Sequence, residues 1–151
     1  MAVLYKGQQG RFLLARADLA SGRFQETVIY IAQHNFSGAV GYVINKPLDK
    51  RAVLLLPEHV QEQLVTDRIF WGGPVSYPEH VQTFTTEVKT NQFLGYAGWM
   101  PFQLEYELMK GGWIVVDAPQ DVFFTPEPKS LWREMMKNSV RGSSLRESAI
   151  Y

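Results

Sequence analysis

The hydrophobic positions in the first half of the chain follow a strand-like pattern. Residues 27–32 and 39–44 are rich in β-branched and aromatic side chains, which is typical of strands with a buried face. The connection between them is short and contains Ser37-Gly38, so the two runs are expected to form an antiparallel hairpin. Shorter apolar runs at 11–15 and 68–71 predict two further strands.

Three stretches carry helical signals, at residues 57–65, 101–110 and 128–137. In the second of these, Leu104 and Leu108 lie one turn apart and predict a face that packs on the core. The third has an apolar stripe suited to the same role. Proline at or near the start of each stretch suits a first helical turn.

The remaining apolar runs predict strands at 80–88, 113–116 and 122–124. Because strands outnumber helices and do not alternate with them, the pattern indicates an α+β fold rather than a doubly wound sheet. We expect one domain over residues 1–137. The polar segment 138–151 has no helical stripe of any length, so we expect a mobile tail unless a partner orders it.

Composition narrows the function classes. The chain has 151 residues, 46% hydrophobic and 20% charged, which is typical of one globular domain. Fifteen basic residues balance fifteen acidic ones, which argues against a strongly basic nucleic-acid binder. The chain has no cysteine, which excludes disulfides, thiolate metal sites and cysteine nucleophiles. With no signal-peptide pattern and no membrane-length apolar run, we expect a cytoplasmic protein.

The segment Leu94–Glu105 is the most distinctive part of the chain. It reads Leu-Gly-Tyr-Ala-Gly-Trp-Met-Pro-Phe-Gln-Leu-Glu and predicts a junction from a short strand-like segment into a helix. Two interpretations remain open. Gly98 at the start of a helix could let the backbone approach a phosphate or carboxylate. Alternatively, the glycines permit a tight turn and Trp99 packs in the core.

Polar residues near these motifs are the candidates for chemistry. His34, Asn45, Gln103 and Glu105, together with Gly98 and Trp99, form the predicted ligand-binding set. His34 and Glu105 could act as a general acid–base pair if both reached one cleft. They could equally form structural contacts, which are the commoner outcome.

No other catalytic signature is present in the sequence. There is no serine nucleophile elbow, no phosphate-binding loop, and no histidine spacing typical of a metal site. We therefore assign no catalytic residue, metal or cofactor, and lean towards a non-enzymatic protein.

Four segments, taken in order, resemble the AlgH/YqgE family. They are Gly10–Ala15 with Phe24; Thr27–Ile31 with His34 and the run Gly38–Leu48; Gly72–Val75; and Leu94–Trp99 with Gln103–Glu105. The resemblance implies a single compact α+β domain with a mostly antiparallel, bifurcated or barrel-like β-sheet flanked by helices. It also implies a regulatory role, and it offers no catalytic mechanism. Two departures stand out: the connection from Val75 to Leu94 is short, and Phe102 occupies a position where the family tends to have glycine.

Three hypotheses for function follow. The first is a non-enzymatic module that binds a partner protein or a small molecule and acts in regulation. The second is a hydrolase-like enzyme using His34 and Glu105. The third is a DNA-binding regulator, which is disfavoured because acidic residues interrupt the C-terminal basic ones. Those basic residues are Lys129, Arg133, Lys137, Arg141 and Arg146. The oligomeric state is left open.

Overall fold

The computed structural model describes residues 7–16 and 22–139, and every structural statement below concerns this part of the chain. The strands are β1 Phe12–Ala15, β2 Val28–Asn35, β3 Gly38–Val43, β4 Ile69–Trp71, β5 Val81–Thr85, β6 Thr90–Leu94, β7 Ala97–Trp99 and β8 Trp113–Val116. The helices are α1 Lys50–Leu54, α2 Glu58–Gln61, α3 Gln103–Met109 and α4 over residues 131–139. Short 3-10 turns cover Gly22–Phe24, Gln120–Phe124 and Pro128–Ser130.

Five strands form an antiparallel sheet in the order β7-β3-β2-β1-β8. The predicted hairpin is confirmed as β2 and β3, and its turn is only Phe36-Ser37. The register places His34 opposite Ala39, and Ala39 opposite Trp99. Residues opposite one another in a sheet share a face, so this row brings residues from distant parts of the sequence together.

A second, three-stranded sheet has the order β4-β6-β5, with β4 parallel to β6 and β5 antiparallel to it. The two sheets meet where the Val43 N–H donates to the Gly72 carbonyl at 2.8 Å. The predicted α+β class is therefore confirmed, with two sheets and no closed barrel in the described part of the chain.

The core lies on both faces of the five-stranded sheet, which is why all four residues of β1 are buried. One face packs against α3 and is rich in tryptophan: Trp71, Trp99, Trp113, Leu104 and Leu108. The other face packs against the second sheet and the C-terminal segment through Phe70, Phe93, Phe123, Leu131 and Met135. A smaller cluster lies between the second sheet and α2, namely Leu56, Val60, Ile69 and Leu94.

Two local predictions were wrong, and one helix was not predicted. Residues 122–124 belong to a 3-10 turn rather than a strand; Pro119 and Pro126 flank the turn, and proline cannot continue a sheet ladder. Helix α2 is a single turn instead of a helix over 57–65. Helix α1 was missed, although Asp49 caps it by accepting from the Ala52 N–H at 2.7 Å.

The last helix extends slightly further than predicted, to residue 139, so its end overlaps the segment expected to be a tail. Residues 140–151 lie outside the described part of the chain. None of the described helices has the length and apolar character needed to cross a lipid bilayer.

Candidate functional site

The junction that leads into α3 is closed by a tight turn. The Gln103 N–H donates to the Met100 carbonyl at 3.0 Å, and Phe102 has φ 67° and ψ −2°. With Pro101 before it, Phe102 occupies the third position of a type II turn, which favours glycine. The Gln103 side-chain carbonyl in turn accepts from the Met100 N–H at 2.9 Å. The turn therefore satisfies its own polar groups, which weighs against the anion-site interpretation.

Glu107 is the centre of a hydrogen-bond network beneath this turn. Its Oε1 accepts from the indole N–H of Trp99 at 2.9 Å and from that of Trp113 at 2.8 Å. Its Oε2 accepts from the Gln103 amide at 2.9 Å. Buried indole N–H groups need a partner, and here one carboxylate serves both. Gln103 and Trp99 of the predicted set thus stabilise the packing of α3 on the sheet.

His34 and Glu105 do lie together, as the acid–base hypothesis requires. The His34 Nε2 is 3.3 Å from the Glu105 Oε1. The His34 Nδ1 accepts from the Gln8 N–H at 2.9 Å, which identifies Nε2 as the protonated nitrogen of the neutral ring. Both ring nitrogens are therefore engaged, and the His34 side chain is only 1% exposed. The loop at Gly7 packs directly on the ring, so little room is left for a substrate.

Asn45 lies apart from the other five predicted residues, beyond the opposite end of β3. Its side-chain carbonyl accepts from the Val28 N–H and its amide donates to the Glu26 carbonyl, both at 2.9 Å. This buried amide fixes the start of β2. The six residues of the predicted set therefore do not line one pocket in the described structure.

Gly98 lies on β7, which forms one edge of the five-stranded sheet. Backbone groups alternate in direction along a strand. The Val43 N–H points away from β2, so the backbone N–H and C=O of Gly41 and Ala39 also point away from β2 and towards β7. There they face the backbone of Ala97 and Trp99. The backbone N–H and C=O of Gly98 must therefore face outwards.

The neighbouring residue Tyr96 supports the same conclusion. It exchanges two backbone hydrogen bonds with Val75 on the outer side of the strand, at 2.9 and 3.1 Å. Gly98 has the same orientation as Tyr96, but no strand pairing or bridge in the described part of the chain covers it on that side. Among the described strands, Gly98 is thus an open position at the sheet edge.

A groove of about 400 Å³ runs beside this edge. Val40, Val75 and Tyr96 line it, together with Gly98 and Trp99. Three large apolar side chains lie exposed in the segments that border the groove: Phe36 at 55%, Met100 at 74% and Phe102 at 60%. The rings of Phe36 and Phe102 contact each other, with centroids 6.3 Å apart. The edge and the groove together form the surface we call the β7 groove.

Sequence reasoning missed most of these features. Glu107 had a recognisable signal, since Trp99, Gln103 and Glu107 are spaced four apart and a buried tryptophan needs an acceptor. The apolar side chains of the β7 groove gave no signal, because their exposure depends on how the hairpin and the α3 turn meet.

A cluster around Tyr42 was also missed. Its hydroxyl lies 3.1 Å from the His80 Nε2 and donates to the Gln82 amide oxygen at 3.4 Å. Burial, and to a lesser extent the nearby Tyr96, raises the pKa of Tyr42 above its ordinary value. Among the described residues, no group of three or more acidic or histidine side chains is arranged to hold a metal ion.

Comparison with known proteins places these features in a family. The AlgH-like family DUF179 matches residues 12–85 and 77–141 of this chain. A UPF0301 protein from Magnetococcus marinus is 30% identical over 162 residues, covering 85% of this chain and 87% of the relative. One from Cytophaga hutchinsonii is 28% identical over 165 residues, covering 86% and 88%.

Solved structures agree in fold. The solution structure of the Pseudomonas aeruginosa AlgH protein is similar with a TM-score of 0.60 and 26% identity, covering 93% of this chain and 92% of that one. A crystal structure of a Corynebacterium diphtheriae protein has a TM-score of 0.66 at 20% identity, covering 91% and 90%, and supports the fold alone. The chain therefore belongs to the AlgH-like DUF179 family.

Proposed function

We propose that this protein is a non-enzymatic binding module with a regulatory role, and that it captures an extended apolar segment of a partner protein in the β7 groove. The observation that carries the proposal is the outward-facing backbone of Gly98 beside an apolar groove. A peptide strand can add to such an edge by backbone hydrogen bonds, while pockets select its side chains.

The exposed apolar side chains support a protein partner. Phe36, Met100 and Phe102 come from two separate turns, and each is more than half exposed. Solitary exposed apolar residues are common, but grouped ones beside a groove are typical of interaction sites. The groove has room beside the strand at this position, because a Cβ on Gly98 would make only ordinary contacts with Val75 and Tyr96, at 3.7 and 3.8 Å.

The environment of His34 favours binding over acid–base catalysis. A general base must reach the proton that it removes. The His34 ring is buried, with Nδ1 engaged by the Gln8 N–H and Nε2 directed at Glu105. This arrangement stabilises the loop over β2.

The DNA-binding alternative has little support in α4. Arg133 and Lys137 are exposed there, but Glu134 is exposed beside them. Arg141 and Arg146 lie outside the described residues.

The test uses a phage library of random linear peptides selected on the full-length protein. We expect enriched peptides to carry alternating apolar residues, as a strand lying in a groove requires. Two substitutions then separate the edge from the groove. Gly98→Ala keeps the outward N–H, whereas Gly98→Pro removes it, and an edge strand tolerates proline.

Selected peptides should bind Gly98→Ala almost as tightly as the parent protein. Gly98→Pro should bind them about fivefold more weakly, since a hydrogen bond contributes about 1 kcal/mol and about 1.4 kcal/mol corresponds to a tenfold change in affinity. Replacing Phe102 with serine should also weaken binding. Failure to enrich any peptide, or equal binding by all variants of unchanged thermal stability, would refute the proposal.

A further inference from the structure

A second cavity lies on another part of the molecule, and its residues do not overlap the β7 groove. It has a volume of about 420 Å³, within the range of small-molecule sites. Its apolar walls are Pro47, Leu48, Trp71 and Tyr77, and its polar residues are Arg23, Gln25, Glu26 and Lys46. We propose that this cavity binds a small molecule that carries a carboxylate or phosphate on a flat apolar group.

Two cations in the cavity have no acidic partner in the part of the chain that the structure describes. Neither Arg23 nor Lys46 takes part in an ion pair among the described residues. Glu26 lines the same cavity, so the described lining residues together carry one positive charge in excess. Cations at a concave, partly apolar site attract an anion more strongly than cations on an open surface.

The backbone segments that carry both cations are held in place. The backbone carbonyl of Lys46 accepts a hydrogen bond from the backbone N–H of Trp71 at 2.9 Å. Arg23 lies in the 3-10 turn that Phe24 anchors: the Phe24 ring packs on Trp71, and its carbonyl accepts from the Thr27 hydroxyl at 2.8 Å. A binding site needs side chains on such rigid supports.

Trp71 supplies the independent observation. It is 6% exposed, and its indole N–H has no hydrogen-bond partner among the described residues. A buried donor without an acceptor is unfavourable and rare in native structures. Because the nitrogen itself is covered by neighbouring atoms, an anion oxygen can accept from it only when the cavity wall shifts on binding.

The walls explain why the ligand should be flat. The Arg23 guanidinium lies 4.8 Å from the centroid of the Trp71 ring, so the indole face already holds a planar cation. A planar anion can lie beside this guanidinium, with Leu48 and Tyr77 around the apolar part of the anion. The charged end of the anion then pairs with Arg23 and Lys46.

The experiment follows the Trp71 indole N–H signal by NMR, identified by its loss in Trp71→Phe. The probes are benzoate, phenyl phosphate, inorganic phosphate and the uncharged benzamide. We expect benzoate or phenyl phosphate to shift the signal in a saturable manner, and benzamide to leave it unchanged. The tighter of the two anions identifies the head group of the natural ligand.

Charge variants complete the test. Arg23→Gln and Lys46→Gln should each weaken binding of the anion about tenfold, the loss of one charge-assisted hydrogen bond. Arg23→Lys keeps the charge and should retain more binding than Arg23→Gln, and Lys129→Gln, on an exposed residue outside the cavity, should bind normally. Absence of a saturable shift with both ring-bearing anions, or shifts that persist in both glutamine variants, would overturn the proposal. Neither result bears on peptide binding in the β7 groove.

Discussion

Replacing Glu107 is predicted to destabilise the protein more than replacing any exposed residue of α3. Its carboxylate accepts from the indole N–H groups of Trp99 and Trp113, which are 7% and 9% exposed, and from the amide of Gln103. Hydrogen bonds to a charged group contribute about 1.5–3 kcal/mol each, but three that share one acceptor do not add fully. Glu107→Ala should therefore cost about 2–4 kcal/mol.

Glu107→Gln tests the polarity of the network. The new amide oxygen can still accept from both indoles, but the new NH₂ group faces the NH₂ group of Gln103. The reciprocal substitution Gln103→Glu restores complementarity. Its carboxylate would accept from the amide introduced at position 107 and would still accept from the Met100 N–H. The double variant should be more stable than Glu107→Gln alone by about 1 kcal/mol.

Urea denaturation followed by tryptophan fluorescence measures these differences, and the melting temperature should fall by roughly 5–15 °C in Glu107→Ala. Lys110→Ala, directly after the same helix, serves as the control and should lie within about 0.5 kcal/mol of the parent. Strict additivity of the two substitutions in the double variant would refute the proposed donor–acceptor arrangement.

Three further predictions concern backbone strain and ionisation. Gly98→Ala should leave the free energy of unfolding nearly unchanged, and Gly111→Ala should lower it by about 1 kcal/mol, because Gly111 has φ 79° but open space around it. Gly95→Ala should abolish stable folding, because its Cβ would overlap the Gly73 carbonyl. Circular dichroism during heating ranks the three variants. Phe102→Gly should raise stability by up to about 1 kcal/mol by relieving φ 67°, while weakening peptide binding, so melting and binding assays should move in opposite directions. The pKa of Tyr42 is higher in the folded protein, so the free energy of unfolding should fall as the pH rises from the unfolded pKa near 10.0 to the folded pKa. The dependence of the free energy of unfolding on pH in this range should be shallower in Tyr42→Phe.

The hairpin and the faces of α3 could be predicted because their signals are local. The β-branched runs of β2 and β3 are separated by two turn residues, and Leu104 and Leu108 are one turn apart. Strand β7 could not be predicted, since two of its three residues, Ala97 and Gly98, are of types depleted in strands, and β3 provides the pairing that makes it one. Propensity is a weak guide wherever tertiary pairing decides the conformation.

The candidate site shows the same division. The sequence identified His34 and Glu105 as residues of interest, but only the register from His34 through Ala39 to Trp99 shows that α3 covers this row. The cavity beside Trp71 depends on a turn near residue 23 and a bridge near residue 46 meeting β4. Contacts of this kind depend on packing between segments that are distant in sequence. The periodicity of hydrophobic residues along the chain does not reveal them.

The glycines of the distinctive segment have a structural cause that unites two of the motifs. Where the two sheets diverge, the chain from Gly72 to Val75 crosses the chain from Gly95 to Tyr96. A Cβ on Gly73 would overlap the backbone of Tyr96, and a Cβ on Gly95 would overlap the Gly73 carbonyl. Each motif therefore requires glycine because of the other. Gly98 is the exception: neither a left-handed φ nor a close contact requires glycine there, which is why Gly98→Ala is expected to change neither folding nor peptide binding appreciably.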